Sequence, residues 1–243
     1  MDINILFLII LPVIAFLYAS VGHGGASGYL ALMALFSFAP DEMKPTALLL
    51  NLFVAAIAFF HFWRAGYFNW KLFFVFSIGS IPFSFYGGTL EIDTKIYKAV
   101  LGVLLLFAIA RMLNFFGKES KIIRKIKWKE GLIVGAGIGF FSGLIGIGGG
   151  IILSPLILLV GWGKMKEAAA VSALFIWVNS ASGLGGQLIS GTSIGLNSWV
   201  YVGVAIVGGY FGGFVGSKRI KTERLKYVLA FVLLLASIKL FII

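Results

Sequence analysis

Two glycine clusters interrupt long apolar runs, and binding chemistry is expected there. The first spans Gly22 to Gly25 and the second spans Gly146 to Gly150. A helix that restarts after such a break offers free backbone N–H groups and the positive end of its dipole, which together attract an anion. We therefore predict that the two breaks converge on one anion-binding site. The alternative is that these glycines only allow a tight turn or close packing of helices.

One histidine and several other polar side chains lie in the breaks or within the apolar runs. His23 could donate a hydrogen bond to an anion or take up a proton near neutral pH, and a neutral histidine bonded to a carbonyl is the alternative. Asn51 and Asn179 are costly to bury in a membrane, and they fall in corresponding helices of the two halves described below. The predicted substrate-binding residues are His23, Gly24, Gly25, Ser27, Asn51, Gly148, Gly149, Gly150, Ser172 and Asn179.

The acidic residues and the missing cysteine exclude several kinds of chemistry. Cation transporters and proton pumps usually place a carboxylate within the membrane, whereas every acidic residue here falls in or beside a predicted loop. With no cysteine and only His23 and His61, we expect no metal site and no cofactor. An enzyme is not expected, because no buried carboxylate pair, metal cluster or nucleophile with its base can be assigned. An anionic or neutral substrate is favoured. The nine acidic residues are Asp2, Asp41, Glu42, Glu91, Asp93, Glu119, Glu130, Glu167 and Glu223.

The composition predicts an all-α polytopic membrane protein with 8 to 10 membrane segments. Hydrophobic residues make up 60% of the 243 residues, charged residues make up 12%, and the mean hydropathy is +1.04, which no water-soluble fold could bury. The second and seventh segments have 13 and 12 residues, fewer than the roughly 17 to 25 of a crossing helix. Each could cross the membrane or form a hairpin with its predecessor. The ten apolar segments are residues 3–21, 26–38, 45–63, 71–90, 96–116, 131–146, 151–162, 168–189, 196–216 and 224–243.

The positive charges separate when the gaps between segments are assigned alternately to two sides of the membrane. Side A, which holds the N-terminus, carries the four residues Lys44, Lys95, Lys98 and Lys239. Side B carries the other sixteen, including Arg64 and Lys166. The positive-inside rule places side B in the cytoplasm and both termini outside the inner membrane. Because topology explains the net charge of +11, nucleic acid is not a predicted partner.

The two halves of the chain repeat each other. Residues 94–108 match residues 222–236 at an offset of 128, the glycine clusters match at 124, and Met43-Lys44 matches Met165-Lys166 at 122. Five segments per copy is an odd number, so the second copy is predicted to be inverted. Inverted repeats with broken helices are typical of secondary transporters, whose substrate lies near the midplane between the repeats. We predict a first repeat at 1–116, a basic cytoplasmic connector at 117–130 and a second repeat at 131–243.

Glycines that recur at every fourth residue form two stripes. Such spacing leaves one helix face smooth and lets another helix approach closely. Packing inside the bundle is the favoured interpretation, and a homodimer contact is the alternative. The stripes are Gly131, Gly135, Gly139 and Gly143 in one segment and Gly208, Gly212 and Gly216 in another.

The glycine motifs and their flanking residues resemble those of one transporter family. They comprise residues 21–25 and 40–51 in the first half and residues 139–150, Pro155, 166–172 and Asn179-Ser180 in the second. Over essentially its whole length the chain is similar to the TauE/SafE sulfite exporter family. The resemblance implies export or uptake of sulfite, of sulfonates such as sulfoacetate, or of related small sulfur oxyanions and organic anions. Family members often carry a Ser or Thr pair in the third helix, where this chain has Leu49-Leu50-Asn51 and Ser172-Ala173, so the exact anion is not predicted.

The sequence thus predicts a secondary transporter that exports sulfite, an organosulfonate or a related small sulfur-containing anion. Its predicted partners are that anion and the lipid bilayer, with His23 as the candidate for proton coupling. A channel-like facilitator of small anions and a non-transporting assembly subunit are the alternatives.

Overall fold

Ten α-helices form the regular structure in the described part of the chain. The computed structural model describes residues 4–113, 115, 123–218 and 223–242, and these contain no strand. The boundary predicted between the first repeat and the connector, at 116–117, is therefore not covered. The helices are α1 (Ile5–Ser20), α2 (Ala26–Leu35), α3 (Pro40–Arg64), α4 (Trp70–Thr89), α5 (Thr94–Met112), α6 (Trp128–Ile145), α7 (Gly150–Val160), α8 (Met165–Ile189), α9 (Leu196–Lys218) and α10 (Glu223–Ile242).

Five of these helices, α3, α4, α6, α8 and α9, are long and apolar enough to cross a membrane. Large apolar side chains remain exposed along them, for example Ile133, Val207 and Phe211. Such a surface suits lipid and not water. An all-helical polytopic membrane protein is what the composition predicts, and the structure agrees with it.

The two short helices fold back on the helices that precede them. Helix α2 has 10 residues and α7 has 11, which at 1.5 Å per residue is about half the thickness of the hydrocarbon layer. The Phe7 ring, near the start of α1, lies 5.1 Å from the Phe38 ring after α2. The Arg124 N–H, shortly before α6, donates to Gly161 O at the end of α7 (2.7 Å). Each short helix therefore returns to the side from which its hairpin began.

The helix contacts have the pattern that a twofold repeat gives. Helix α4 packs on α6 and α8, while α9 packs on α1 and α3; α3 packs against α8, and α5 packs against α10. Exchanging the first five helices for the last five reproduces the same set of pairs. The relative inversion of the two copies stays a prediction.

Neighbouring helices of the same chain pack closely against both glycine stripes. A Cβ atom added at Gly139 would lie 2.6 Å from Ser80 Cα of α4, and one at Gly212 would lie 2.8 Å from Phe16 Cα of α1. Real Cβ contacts are not this short, so larger residues would push the helices apart. Packing inside the bundle, the favoured interpretation of the stripes, is confirmed.

The loops gather at two ends of the bundle. At one end Ser190 Oγ donates to Thr89 O (3.1 Å) and Lys239 Nζ donates to Leu35 O (2.7 Å). At the other end Lys166 Nζ donates to Ser217 O (2.9 Å) and Asn69 Nδ2 donates to Glu167. These two groups are side A and side B, and the assignment of side B to the cytoplasm stays a prediction.

Candidate functional site

The two glycine breaks meet at the middle of the bundle. Asn51 is the twelfth residue of the 25-residue α3, and Ile176 is the twelfth residue of the 25-residue α8. A Cβ atom at Gly24 and one at Gly148 would each lie 2.9 Å from Ile176 Cγ2. The first would also contact Asn51 Oδ1 and the second would contact Asn51 Nδ2. The breaks therefore flank the Asn51 carboxamide halfway along both helices.

Glycine is required in the breaks by backbone conformation. Gly25 and Gly149, which precede α2 and α7, have φ of 105° and 78°, and Gly148 has φ of 71°. This left-handed region is open to glycine and costly for other residues. Each break ends where a new helix starts, so the N-termini of α2 and α7 both lie next to Asn51 and Ile176.

The Asn51 carboxamide connects the first break to α8. Its Oδ1 accepts from the Ala26 N–H (3.0 Å), and its Nδ2 donates to Ser180 Oγ (3.1 Å). The first backbone bond of α2 is Tyr29 N–H to Gly25 O, so the N–H groups of Ser27 and Gly28 precede the helical ladder and have no acceptor within the helix. Asn51 thus holds one N–H at the start of α2 and leaves the next two for other acceptors.

His23 bridges the two breaks. Its Nε2 lies 3.2 Å from Gly150 O and its Nδ1 lies 3.2 Å from Val21 O. A neutral imidazole has one N–H and can satisfy one of these carbonyls, whereas an imidazolium can donate to both. The ring is half-buried, while Gly22 and Gly24 on either side are buried. His23 therefore joins the breaks directly and keeps an open face.

Comparison with known proteins identifies the family of the chain. The family model for the sulfite exporter TauE/SafE matches residues 6–240. The chain belongs to this family. A protein named probable membrane transporter protein y4hK, from Sinorhizobium fredii, is 37% identical over 233 residues, which are 94% of each chain. Another, named probable membrane transporter protein MJ0441, from Methanocaldococcus jannaschii, is 29% identical over 216 residues, 82% of this chain and 80% of that one.

No solved structure matches the chain. The family and the apolar helices together make this TauE/SafE member a multi-pass membrane transporter. The resemblance predicted from the motifs is thereby confirmed.

Two of the predicted site serines connect helices near the breaks. Ser27 Oγ donates to the Tyr18 hydroxyl (2.9 Å), which joins α2 to α1. Ser154 Oγ donates to Ser172 Oγ (2.7 Å), which joins α7 to α8. Both hydroxyls thus secure the short helices of the hairpins, one in each half.

Asn179 faces α4 and not the glycine breaks. Its Nδ2 donates to Ser80 Oγ (3.0 Å) and to Phe175 O (2.8 Å), while its backbone carbonyl accepts from Ser84 Oγ (2.8 Å). The buried Oδ1 of Asn179 has no hydrogen-bond partner. The structure places this asparagine beside the site, at the contact between α4 and α8.

Ile176 and Ser180 complete the candidate site; Ser180 belongs to the family motif, but neither residue is in the predicted substrate-binding set. A Cβ atom at Gly148 would lie 3.0 Å from Ser180 Oγ. The two residues are four apart, on one face of α8. The family motif, which includes Asn179-Ser180, could have identified Ser180, whereas an isoleucine in an apolar run gives no polar signal. Within the described residues no group of three metal-ligating side chains occurs.

Proposed function

We propose that this transporter carries sulfite, organosulfonates or related small sulfur-containing anions, and that it works as a secondary exporter. The anion is bound near the midplane, between the glycine breaks and beside Asn51. The observation that carries the proposal is that Gly24 and Gly148 flank Asn51 at the midpoints of α3 and α8.

The electrostatics of this point favour negative charge. Helices α2 and α7 both begin there, and helix N-termini attract anions through free N–H groups and the helix dipole. The buried polar residues of the described chain are Ser, Thr, Asn and Gln, so no buried carboxylate repels an anion. Membership of a sulfite exporter family agrees with this charge preference.

Two alternatives are distinguished by kinetics. A channel-like facilitator would pass anions without saturation, and a non-transporting assembly subunit would pass none. The packing of α3 of one half against α8 of the other supports a carrier, because rocking of the halves about this contact would expose the breaks to each side in turn.

The test is anion flux in proteoliposomes containing wild-type protein or Asn51→Asp. Aspartate keeps the shape of the side chain but places a negative charge against the bound anion. Like charges in contact cost several kcal/mol, so saturable sulfite flux should fall by about tenfold or more. Asn4→Asp is the matched control, because Asn4 caps α1 at an exposed end and aspartate also caps helices.

Each result has a separate meaning. Normal flux in Asn51→Asp would place the anion elsewhere. Flux that does not saturate would favour the facilitator. Absence of flux for sulfite, sulfoacetate and other sulfonates in the wild-type protein would overturn the proposed function.

A further inference from the structure

A cavity of about 540 Å³ opens on side A of the molecule. Its walls come from the first turns of α3, from the loop between α8 and α9, and from the start of α9, with Asp41, Glu42 and Tyr201 among the lining residues. Asp41 and Glu42 are exposed, so they lie at its mouth. The cavity is wide enough for a small oxyanion or sulfonate with several waters.

The deep end of this cavity is closed by two hydroxyl groups. Thr46 Oγ1 of α3 and Ser198 Oγ of α9 are 2.8 Å apart and hydrogen-bonded. Both residues line the cavity, yet each is only 4% exposed. They belong to different halves of the chain, so the bond crosses between the predicted repeats.

The hydroxyl pair lies nearer the side A end of α3 than the candidate anion site does. Thr46 precedes Asn51 by five residues in α3, which is about 7.5 Å along the helix axis. The same five-residue step turns the two side chains about 140° apart around the helix, and the intervening Leu49 and Leu50 are buried. Thr46, at the cavity, and Asn51, at the glycine breaks, are therefore about one and a half helical turns apart on different faces of α3.

Helix α9 is held to α3 differently at its two ends. Towards side B, Gly209 and Gly213 pack on α3: Cβ atoms there would lie 3.0 Å from Val54 Cγ1 and 3.3 Å from Ala58 Cα. Towards side A the two helices are joined by the Thr46–Ser198 hydrogen bond and by the edge-on contact between the Phe53 and Trp199 rings. A single bond between hydroxyls is weak once water can replace it. Separation of the start of α9 from α3 therefore requires loss of this bond and movement of the Trp199 and Tyr201 rings, while the second half of α9 stays packed.

We infer that Thr46 and Ser198 form the side A gate of the transport path. With the bond made, the path from the glycine breaks to the cavity is closed. With the bond broken, the first turns of α9 tilt away, and each freed hydroxyl can donate to the passing anion. This inference rests on the proposed function, because it assigns the exit of the same site.

The chain offers a clean test because it contains no cysteine. A protein carrying both Thr46→Cys and Ser198→Cys can be crosslinked by mild oxidation or by a short bifunctional thiosulfonate, and the crosslink can be verified by mass spectrometry. We expect sulfite flux in the reduced protein, loss of flux to the level of protein-free liposomes after crosslinking, and recovery with reductant. The two single-cysteine variants are the controls: for each of them, oxidation should leave the flux at the level of the same variant in its reduced form.

Failure of the gate and failure of the proposed function give different results. Unchanged flux in a fully crosslinked protein would overturn the gate while leaving the function intact. Absence of flux in both the reduced double variant and the wild type would overturn the function. If the double variant does not fold, Ser198→Ala provides the second test: removing the bond should raise the rate at which Ile176→Cys reacts with a hydrophilic thiol reagent, and an unchanged rate would overturn the gate.

Discussion

At the scale of single residues, glycine is needed in the breaks for two reasons: the backbone conformation and the close approach of neighbouring side chains. The two reasons can be tested separately. Gly148 needs a left-handed backbone, and it also leaves room for Asn51 and Ser180. Gly66, in the loop after α3, has φ of 79° and nothing within 4 Å of an added Cβ. Gly66 therefore reproduces the backbone strain of Gly148 without its contacts.

Gly148→Ala should abolish anion flux, whereas Gly66→Ala should retain it. Alanine pays a similar left-handed penalty of about 1–2 kcal/mol at both positions, but only at Gly148 does the methyl group displace the Asn51 carboxamide. Sulfite flux in proteoliposomes, with both proteins shown to be folded by size-exclusion chromatography, measures the difference. Equal flux in the two variants would mean that the approach of Gly148 to Asn51 has no role in transport.

His23 is the residue-scale candidate for proton coupling. A proton on its ring allows both nitrogens to donate, to Val21 O and to Gly150 O, and so ties the two breaks together. His23→Gln should leave sulfite flux present but insensitive to an imposed pH gradient. The other histidine provides the control, since His61 packs against Tyr210 and Phe214 in α9, and His61→Gln should keep the response of the wild type. If sulfite flux through His23→Gln still responds to the pH gradient, another group is responsible for proton coupling.

Some residues of the candidate site stand out in the sequence, and others do not for a definable reason. Asn51 stands out because an amide is costly in an apolar run, and the glycines stand out because they cluster. Ile176 corresponds to Asn51 at an offset of 125, while the repeat was detected at offsets of 122, 124 and 128. Small insertions shift the register along each half, so equivalence at this position becomes visible only when α3 and α8 are seen to start at Pro40 and Met165.

At the scale of elements, the sequence predicts the ten segments. It does not fix the residue at which each helix starts, or whether the two short segments cross the membrane or form hairpins. Helix α3 begins five residues before the predicted segment, and α8 begins three residues before it, because polar first turns satisfy helix N-termini and lack an apolar signal. Charge counting could not distinguish a short crossing from a hairpin, since both leave later loops on the same sides. The contact between Phe7 and Phe38 supplies that information.

Packing between α4 and α6 can be tested with two glycines of the same helix. Gly139 lies against the backbone of Ser80, whereas Gly137 has nothing within 4 Å of an added Cβ. Gly139→Ala should destabilise the protein by about 1–3 kcal/mol, because a methyl group here overpacks a backbone contact. Gly137→Ala should be neutral or slightly stabilising, because alanine favours helices over glycine by about 1 kcal/mol. Thermal unfolding in detergent compares the two, and equal stability would contradict the close packing of α4 on α6.

At the scale of the whole molecule, charge is distributed unevenly between the two sides. Side B carries most of the Lys and Arg residues, while Asp41 and Glu42 stand at the mouth of the side A cavity. Charges near an entrance change the local concentration of an ionic substrate, and salt screens the effect. An anion at the side A mouth is repelled, which lowers the apparent affinity for re-entry without changing the equilibrium across the membrane.

Removing the carboxylates at this mouth should therefore affect one direction of transport. In the double variant Asp41→Asn and Glu42→Gln, the KM for an anion entering from side A should fall a few-fold, while the KM from side B stays the same. The difference in this side A KM between the wild type and the double variant should shrink at high ionic strength, because salt screens exposed charges. Asp93→Asn is the control: it also removes a side A charge, but Asp93 caps α5 outside the cavity lining, and asparagine caps equally well. Flux measured in oriented and inverted membrane vesicles separates the two directions. Equal changes of the KM from both sides, or the same change in Asp93→Asn, would show that the cavity mouth is not part of the transport path.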